Sequence, residues 1–198
     1  MKDLFPYSLQ RGAIGFDAIP HLAPVFFAIY PSSDDLPRIA AWQKRLCRQL
    51  EAPKIALRPA GLLHISVAAC GASRRRRQPL AEALRRAQDR FVHPAFDVTL
   101  GATTRFGGDG RAFVAVADAA GTDAVHSLRI ALANAQSPLG LKGSRAKSEA
   151  HLTLGYGDRL PDERRSIEPM RFRVETVDLV LSHVGESQHT LLARWRLK

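Results

Sequence analysis

The sequence predicts an α+β fold in which antiparallel strands outnumber helices. Short apolar or alternating segments, typical of strands, recur along the chain, whereas three segments keep the three- and four-residue spacing of a helix. Tight turn sequences join several predicted strands directly, which favours antiparallel pairing over the crossover helices that a parallel sheet requires. With 198 residues, 45% of them hydrophobic, the chain is long enough to bury one sizeable core.

In the first half of the chain, residues 1–23 hold four Pro or Gly residues without periodicity, which predicts an irregular N-terminal arm. The residues Ile39, Trp42 and Leu46 recur at helical spacing, with basic residues between them. A second helix is predicted after the arginine run Arg74–Arg77. The predicted elements are a strand at 25–30, a helix from a cap at Ser33 or Asp34 to about Leu50, strands at 55–58 and 62–70, and a helix at 80–91.

In the second half, the turn sequence GGDG at 107–110 separates two strand-like segments and predicts a hairpin. The apolar residues Val125, Leu128 and Leu132 keep the helical period, and Ser137-Pro138 ends that helix. The predicted elements are strands at 96–106 and 112–116, a helix from Thr122, a strand within 149–159, a turn at 161–165, and strands at 172–182 and 190–197.

The composition and the charge of the chain indicate which binding partners and which cellular compartment to expect. The net charge of +10 favours polyanions such as RNA or phosphorylated metabolites, and Arg74–Arg77 is either part of such a contact or a solvated loop. We expect no membrane contact, because no apolar run approaches the roughly 20 residues of a membrane span. We also expect a monomer. The N-terminus lacks the apolar core of a secretion signal, and Cys47 and Cys70 lack CxxC spacing, so a cytoplasmic location with reduced thiols is expected.

Two short segments carry the same polar pattern. LHISV contains His64 and Ser66, and AHLTL contains His151 and Thr153. On a strand, residues two apart share a face, so each imidazole has a hydroxyl beside it while the intervening apolar residues face the core. One such pair is unremarkable and is better explained by a histidine bonded to a neighbouring hydroxyl on a sheet face, without a catalytic role. The matched pair, one in each half of the chain, favours a shared site.

Two such pairs across a cleft would suit a phosphate diester. Histidine titrates near pH 6.5, so one imidazole can accept a proton while the other donates one. Displacement at phosphorus places the entering and leaving oxygens on opposite sides, and Ser66 and Thr153 could donate hydrogen bonds to the remaining oxygens. We expect no metal and no cofactor. The other five histidines have no partners at metal spacing and are interpreted as core or surface residues: His21, His93, His126, His183 and His189.

At these residues the sequence resembles the 2′-5′ RNA ligase family, also called RNA 2′,3′-cyclic phosphodiesterases, of the two-histidine phosphoesterase superfamily. The resemblance covers residues 24–198 in four ordered landmarks: VFFAIYPS, LLHISV, AHLTLGY and VDLVLSHVGESQHTLLARWRL. It implies a bilobal, pseudo-twofold fold with antiparallel sheets lining a central cleft, helices outside and one histidine motif in each lobe. Residues 1–23 fall outside it.

The resemblance also implies a reaction. The enzyme would open 2′,3′-cyclic phosphates on RNA ends or small nucleotides to 2′-phosphates without a metal, with 2′-5′ RNA joining as a second activity. His64 and His151 would be catalytic, the first as acid and the second as base, and Ser66 and Thr153 would hold phosphate oxygens. The chain departs from the family pattern at Tyr156, where many members carry arginine.

Two other functions remain open at this point. A non-catalytic RNA-binding module would use the same basic cleft and depend more on Arg74–Arg77 than on either histidine. A metabolic phosphodiesterase would act on a small cyclic phosphate, with RNA incidental. Lys142, Arg145 and Lys147, just before the second motif, either line the cleft or are solvated in a loop.

Overall fold

In the part of the chain that the computed structural model describes, nine strands and three α-helices follow one another. The described residues are 24–49, 55–72, 77–89, 91–107, 110–158, 160, 163–183 and 187–198. The predicted N-terminal arm and Arg74–Arg76 lie outside them. The strands are β1 (Pro24–Ile29), β2 (Ala56–Leu57), β3 (Ile65–Ala72), β4 (Phe96–Phe106), β5 (Ala112–Ala117), β6 (His151–Tyr156), β7 (Arg165–Val174), β8 (Thr176–His183) and β9 (Gln188–Arg196). The helices are α1 (Leu36–Gln49), α2 (Arg77–Ala87) and α3 (Ala119–Gln136), with 3₁₀ turns at Ala60–Leu62 and Ser137–Leu139.

All strand pairings among these residues are antiparallel, so the predicted α+β fold is confirmed. The strand order is β7-β4-β5-β6-β3-β1-β8-β9, and β2 pairs separately with β6. The sheet thus consists of two four-stranded halves that meet where β6 pairs with β3. The half that contains β3 is built from both ends of the domain, because β8 and β9 return to lie beside β1.

The two faces of the sheet differ. On one face, alternate strand residues such as Phe27 and Phe113 pack with Trp42 of α1 and Leu128 of α3 in the main core. The other face carries two small apolar clusters, one in each half of the sheet. Phe26, Ala28 and Val180 form the first, and Ala102, Val114 and Val116 form the second. The helices therefore cover one face and leave the other available for a site.

Several predicted boundaries were wrong for identifiable reasons. The predicted strand at 172–182 is two strands, because the chain leaves β4 after Val174 and joins β1 and β9 from Thr176. Helix α3 begins three residues before Thr122, since the Asp118 side chain caps it by accepting a hydrogen bond from the Gly121 amide at 2.7 Å. None of the described helices is both long and apolar enough to cross a bilayer.

Candidate active site

The two motifs lie on neighbouring strands at the centre of the sheet. Ile65 of β3 pairs with Leu152 of β6 in antiparallel register. Continuing this register by one residue would place His64 opposite Thr153 and Ser66 opposite His151. The histidines then occupy one diagonal of a four-residue patch, a spacing of about 7–8 Å in an antiparallel sheet. The pairing thus brings together the residues that the sequence analysis selected.

Both motif histidines are held by the same backbone contact. His64 Nδ1 lies 2.7 Å from the carbonyl oxygen of Leu62, and His151 Nδ1 lies 3.0 Å from that of Glu149. In each case the acceptor is the residue two positions earlier. A carbonyl oxygen only accepts, so Nδ1 carries the proton and Nε2 keeps a lone pair in the neutral ring. In both rings Nε2 is therefore the nitrogen that carries the basic lone pair.

A bulge follows each motif at the same position. The register of β3 against β1 shifts at Val67, and that of β6 against β5 shifts at Leu154. Each bulged residue comes three positions after its histidine. Because a bulge exchanges the faces of the residues beyond it, Tyr156 falls on the same side of the sheet as His151. The alternation read from the sequence does not extend past Leu154.

Aromatic rings support each imidazole. The Phe26 ring lies 5.5 Å from that of His64 and is tilted against it, and the Phe106 ring lies 4.3 Å from that of His151. Each phenylalanine belongs to or packs against the apolar cluster of its own half of the sheet. His151 is 9% exposed and His64 is half-buried, so both rings are restrained yet remain at the surface of the sheet.

The two hydroxyls of the motifs differ in their surroundings. Ser66 Oγ lies 3.0 Å from His64 Nε2, and its hydroxyl donates to the lone pair of that nitrogen. Binding of a phosphate oxygen by Ser66 would require this hydroxyl to rotate. Thr153 is half-buried on β6 and projects on the side of His151.

His64 is electrostatically disfavoured as a cation. Burial lowers its pKa well below the usual range, and the positive charge of Arg58 lowers it further, against the hydrogen bond to Leu62. His189 and His151 add to this lowering when they are protonated. The unliganded ring is thus neutral at pH 7.

Two side chains beside His64 were not predicted from the sequence as site residues. His189 of β9, interpreted there as a core or surface residue, places its ring 5.1 Å from that of His64. Its Nδ1 lies 2.6 Å from the Tyr30 hydroxyl, and burial, aided by the charges of Arg58 and His183, lowers its pKa to about 4. No local pattern could have identified it, because only the pairing of β8 with β1 brings β9 near the site.

Arg58 is the second such side chain. Its Nε donates to the Leu62 carbonyl oxygen at 2.8 Å, and its Nη1 donates to the Tyr156 hydroxyl at 2.9 Å. A guanidinium from outside both motifs therefore reaches the residue that replaces the expected arginine. The only signal in the sequence was its position at the end of the predicted strand at 55–58.

A cavity of about 260 Å³ adjoins this cluster. Tyr30 and His189 line it, together with an ion pair between the buried Asp178 and the half-exposed Arg194, in which both carboxylate oxygens accept from the guanidinium, at 2.7 and 2.8 Å. This volume lies just below the usual range of about 300–1,000 Å³ for small-molecule pockets.

Other candidate features do not converge on the motifs. Lys147 pairs with Asp123, and Arg145 donates to Asn134 at 2.7 Å, so both contact helix α3. Within the described ranges, His, Cys, Asp and Glu side chains form no group of three that could hold a metal ion. Both cysteines are free: Cys47 is buried and Cys70 partly so. Burial raises their pKa values to about 11 and about 12.

Comparison with known proteins adds independent information. A family model described as the 2′-5′ RNA ligase superfamily matches residues 30–186. Crystal structures with a similar fold include Escherichia coli LigT complexed with 3′-AMP, which is 21% identical with a TM-score of 0.67 over 89% of this chain and 99% of LigT. A structure described as a phosphoesterase is 19% identical, with a TM-score of 0.68 and the same coverage. The protein TT0787 of Thermus thermophilus is 18% identical, with a TM-score of 0.59 over 87% of this chain and 97% of TT0787. Among curated proteins, none matches the sequence significantly.

Proposed function

The chain belongs to the 2′-5′ RNA ligase superfamily, and on this premise we propose that it opens 2′,3′-cyclic phosphates on RNA ends or small nucleotides to 2′-phosphates. Membership itself supports the broader statement that the protein is an enzyme of the phosphoesterase or ligase type. The observation that carries the specific proposal is the matched pair of histidines on β3 and β6, each with Nδ1 bound to a carbonyl oxygen and Nε2 directed away from it.

In the proposed reaction, a water oxygen attacks phosphorus and the bond from phosphorus to the 3′ oxygen breaks. His151 Nε2 accepts the proton of the water, and His64 Nε2 donates a proton to the departing 3′ oxygen. The products are a 2′-phosphate and a free 3′-hydroxyl. For 2′-5′ joining, the 5′-hydroxyl of a second RNA end takes the place of water.

The role of His64 as acid requires a second proton on its ring. Burial and neighbouring cations disfavour this form in the unliganded protein. A bound phosphate anion would reverse the balance, because an opposite charge nearby favours the imidazolium. In this proposal the substrate itself completes the acid, and Ser66 and Thr153 then donate to the non-bridging oxygens.

The ligands of a structural relative support the choice of substrate class. Escherichia coli LigT has been crystallised with 3′-AMP and with phosphate. Both ligands carry the phosphate group that the two histidines here are proposed to flank. We extend this to the present chain as part of the proposal, with neither a metal nor a cofactor in the reaction.

The test is turnover of an oligonucleotide that ends in a 2′,3′-cyclic phosphate, in the presence of EDTA. We expect a 2′-phosphate product, and a loss of about 10²–10⁴-fold in kcat for His64→Ala and for His151→Ala. His126→Ala, on helix α3, is the matched control and should retain activity. Formation of no product, or equal turnover by the parent and both variants, would reject the proposal. RNA binding without turnover would favour the non-catalytic alternative.

A further inference from the structure

Arg58 is held more firmly than an ordinary surface arginine. Its backbone amide donates to the Leu154 carbonyl oxygen at 2.9 Å, and its own carbonyl oxygen accepts from Gln43 Nε2, also at 2.9 Å. Its side chain is bound at two further points, to the Leu62 carbonyl oxygen and the Tyr156 hydroxyl. Four hydrogen bonds therefore fix both the backbone and the guanidinium of this residue.

The short strand β2 provides this position. Its residues Ala56 and Leu57 are exposed and add nothing to the core, yet they pair with Tyr156 and Gly155 of β6. The two strands approach so closely at Gly155 that a Cβ atom there would lie 2.5 Å from the Ala56 carbonyl oxygen. The approach directs the next residue, Arg58, toward the joint between the two motif strands.

The guanidinium of Arg58 lies beside the first motif histidine. Arg58 Nε and His64 Nδ1 donate to the same Leu62 carbonyl oxygen, at 2.8 and 2.7 Å. The two nitrogens are consequently at most about 5.5 Å apart, the sum of these distances. Because Nη1 reaches Tyr156 of β6, the cation extends across the boundary between β3 and β6.

The charge of Arg58 is not neutralised by any carboxylate among the described residues. Both of its side-chain acceptors are uncharged, and they use two of the five N–H groups that a guanidinium carries. Many other arginines of the described chain pair with an acidic side chain, among them Arg38, Arg45, Arg111, Arg171, Arg173 and Arg194. An immobilised cation with free donors next to His64 is suited to an anion.

We propose that Arg58, positioned by Tyr156 and Leu62, forms a preorganised binding site for the phosphate oxygens of the substrate beside His64. This inference rests on the proposed function for the identity of the anion. Preorganisation matters because the side chain loses little additional freedom when the anion binds. The same charge stabilises the negative charge that collects on the phosphate during displacement. Arg58 thus selects substrates with an anionic phosphate.

The experiment measures inorganic phosphate binding by calorimetry, independently of turnover, in the parent, Arg58→Gln, Arg58→Lys and Tyr156→Phe. Arg45→Gln is the matched control, because it removes one positive charge from an exposed arginine on helix α1. We expect the Kd for phosphate to rise at least about tenfold in Arg58→Gln, to rise less in Arg58→Lys and Tyr156→Phe, and to change less than about twofold in Arg45→Gln. Thermal melts establish that each variant is folded.

The outcomes separate this inference from the proposed function. Equal phosphate affinity in Arg58→Gln and Arg45→Gln, or no phosphate binding by the parent, would overturn the inference even if the parent turns over cyclic phosphates. Phosphate binding that depends on Arg58 in a protein without turnover would support the inference and reject the proposed function. If Arg58→Gln does not fold, Arg58→Lys and Tyr156→Phe decide: unchanged affinity in both overturns the inference.

Discussion

Replacing Arg129 by methionine should destabilise both motif strands at once. This arginine of α3 is 2% exposed, and its Nε donates to the Val67 carbonyl oxygen of β3 at 2.6 Å. Its two terminal nitrogens donate to the Ala146 carbonyl oxygen and, at 2.8 Å, to Ser148 Oγ, in the loop that leads to the second histidine. Methionine preserves much of the length but donates no hydrogen bond.

The expected loss of stability depends on whether water can reach each hydrogen-bond acceptor after Arg129 is replaced. Val67 is 1% exposed, so its unpaired carbonyl oxygen should cost about 1–3 kcal/mol. Ala146 is exposed and Ser148 half-buried, so water can replace those bonds and each should cost about 0.5–1.5 kcal/mol or less. Burial of the Arg129 guanidinium is itself unfavourable and lowers its pKa, so removing this cation offsets part of the lost stability. We expect the free energy of unfolding to fall by about 2 kcal/mol.

Urea denaturation of the parent and the variant measures this change. Arg145→Met is the control, since Arg145 is exposed and donates to side chains of helix α3 and its end. It should cost less than about 0.5 kcal/mol. If Arg129→Met costs no more than the control, the argument that Arg129 links the two motif strands is wrong.

Three further predictions concern packing, charge and pH. Gly155→Ala should cost about 1–3 kcal/mol, because the added Cβ meets the Ala56 backbone, and a lowered melting temperature would show it. Urea denaturation should show that Arg194→Ala destabilises the protein more than Asp178→Ala. Arg194→Ala leaves the Asp178 carboxylate, which is 3% exposed, without its partner and should cost about 3–5 kcal/mol. Asp178→Ala costs less because the Arg194 guanidinium is half exposed and water can solvate it. His189 has a pKa of about 4 in the fold and about 6.5 when unfolded, so the unfolded chain binds more protons between these values. Stability should therefore fall as the pH falls from 6.5 to 4, and less steeply in His189→Gln.

Each of these has an outcome that would contradict it. An unchanged melting temperature in Gly155→Ala would mean that β2 can move away from β6 without cost. Equal losses in the two ion-pair variants would mean that the carboxylate is accessible to water. Parallel pH dependence of unfolding in the parent and His189→Gln would mean that this imidazole takes up its proton without penalty in the fold.

Local patterns predicted the elements that build the site but not their partners. The alternation around His64 and His151 identified both motifs, because a strand with one buried face carries that pattern wherever it lies in a sheet. The bulges at Val67 and Leu154 depend on the register with β1 and β5, which no single strand reveals.

The residues that the sequence analysis missed reach the site through long-range pairing. His189 comes from the last strand, and Arg58 from a two-residue strand that exists only against β6. At Glu175 the chain passes from one half of the sheet to the other. This passage likewise has no local sequence signal, because the segments on both sides have strand-like sequences. Which residues surround His64 was thus decided by tertiary pairing.

A crystal structure with inorganic phosphate bound would show whether His64 and His151 hold the same anion. We expect one phosphate on the exposed face of the sheet, with His64 Nε2 and His151 Nε2 each about 2.6–3.2 Å from a different oxygen of the same ion. A phosphate held by only one of the two imidazoles, or located away from the joint between β3 and β6, would contradict it.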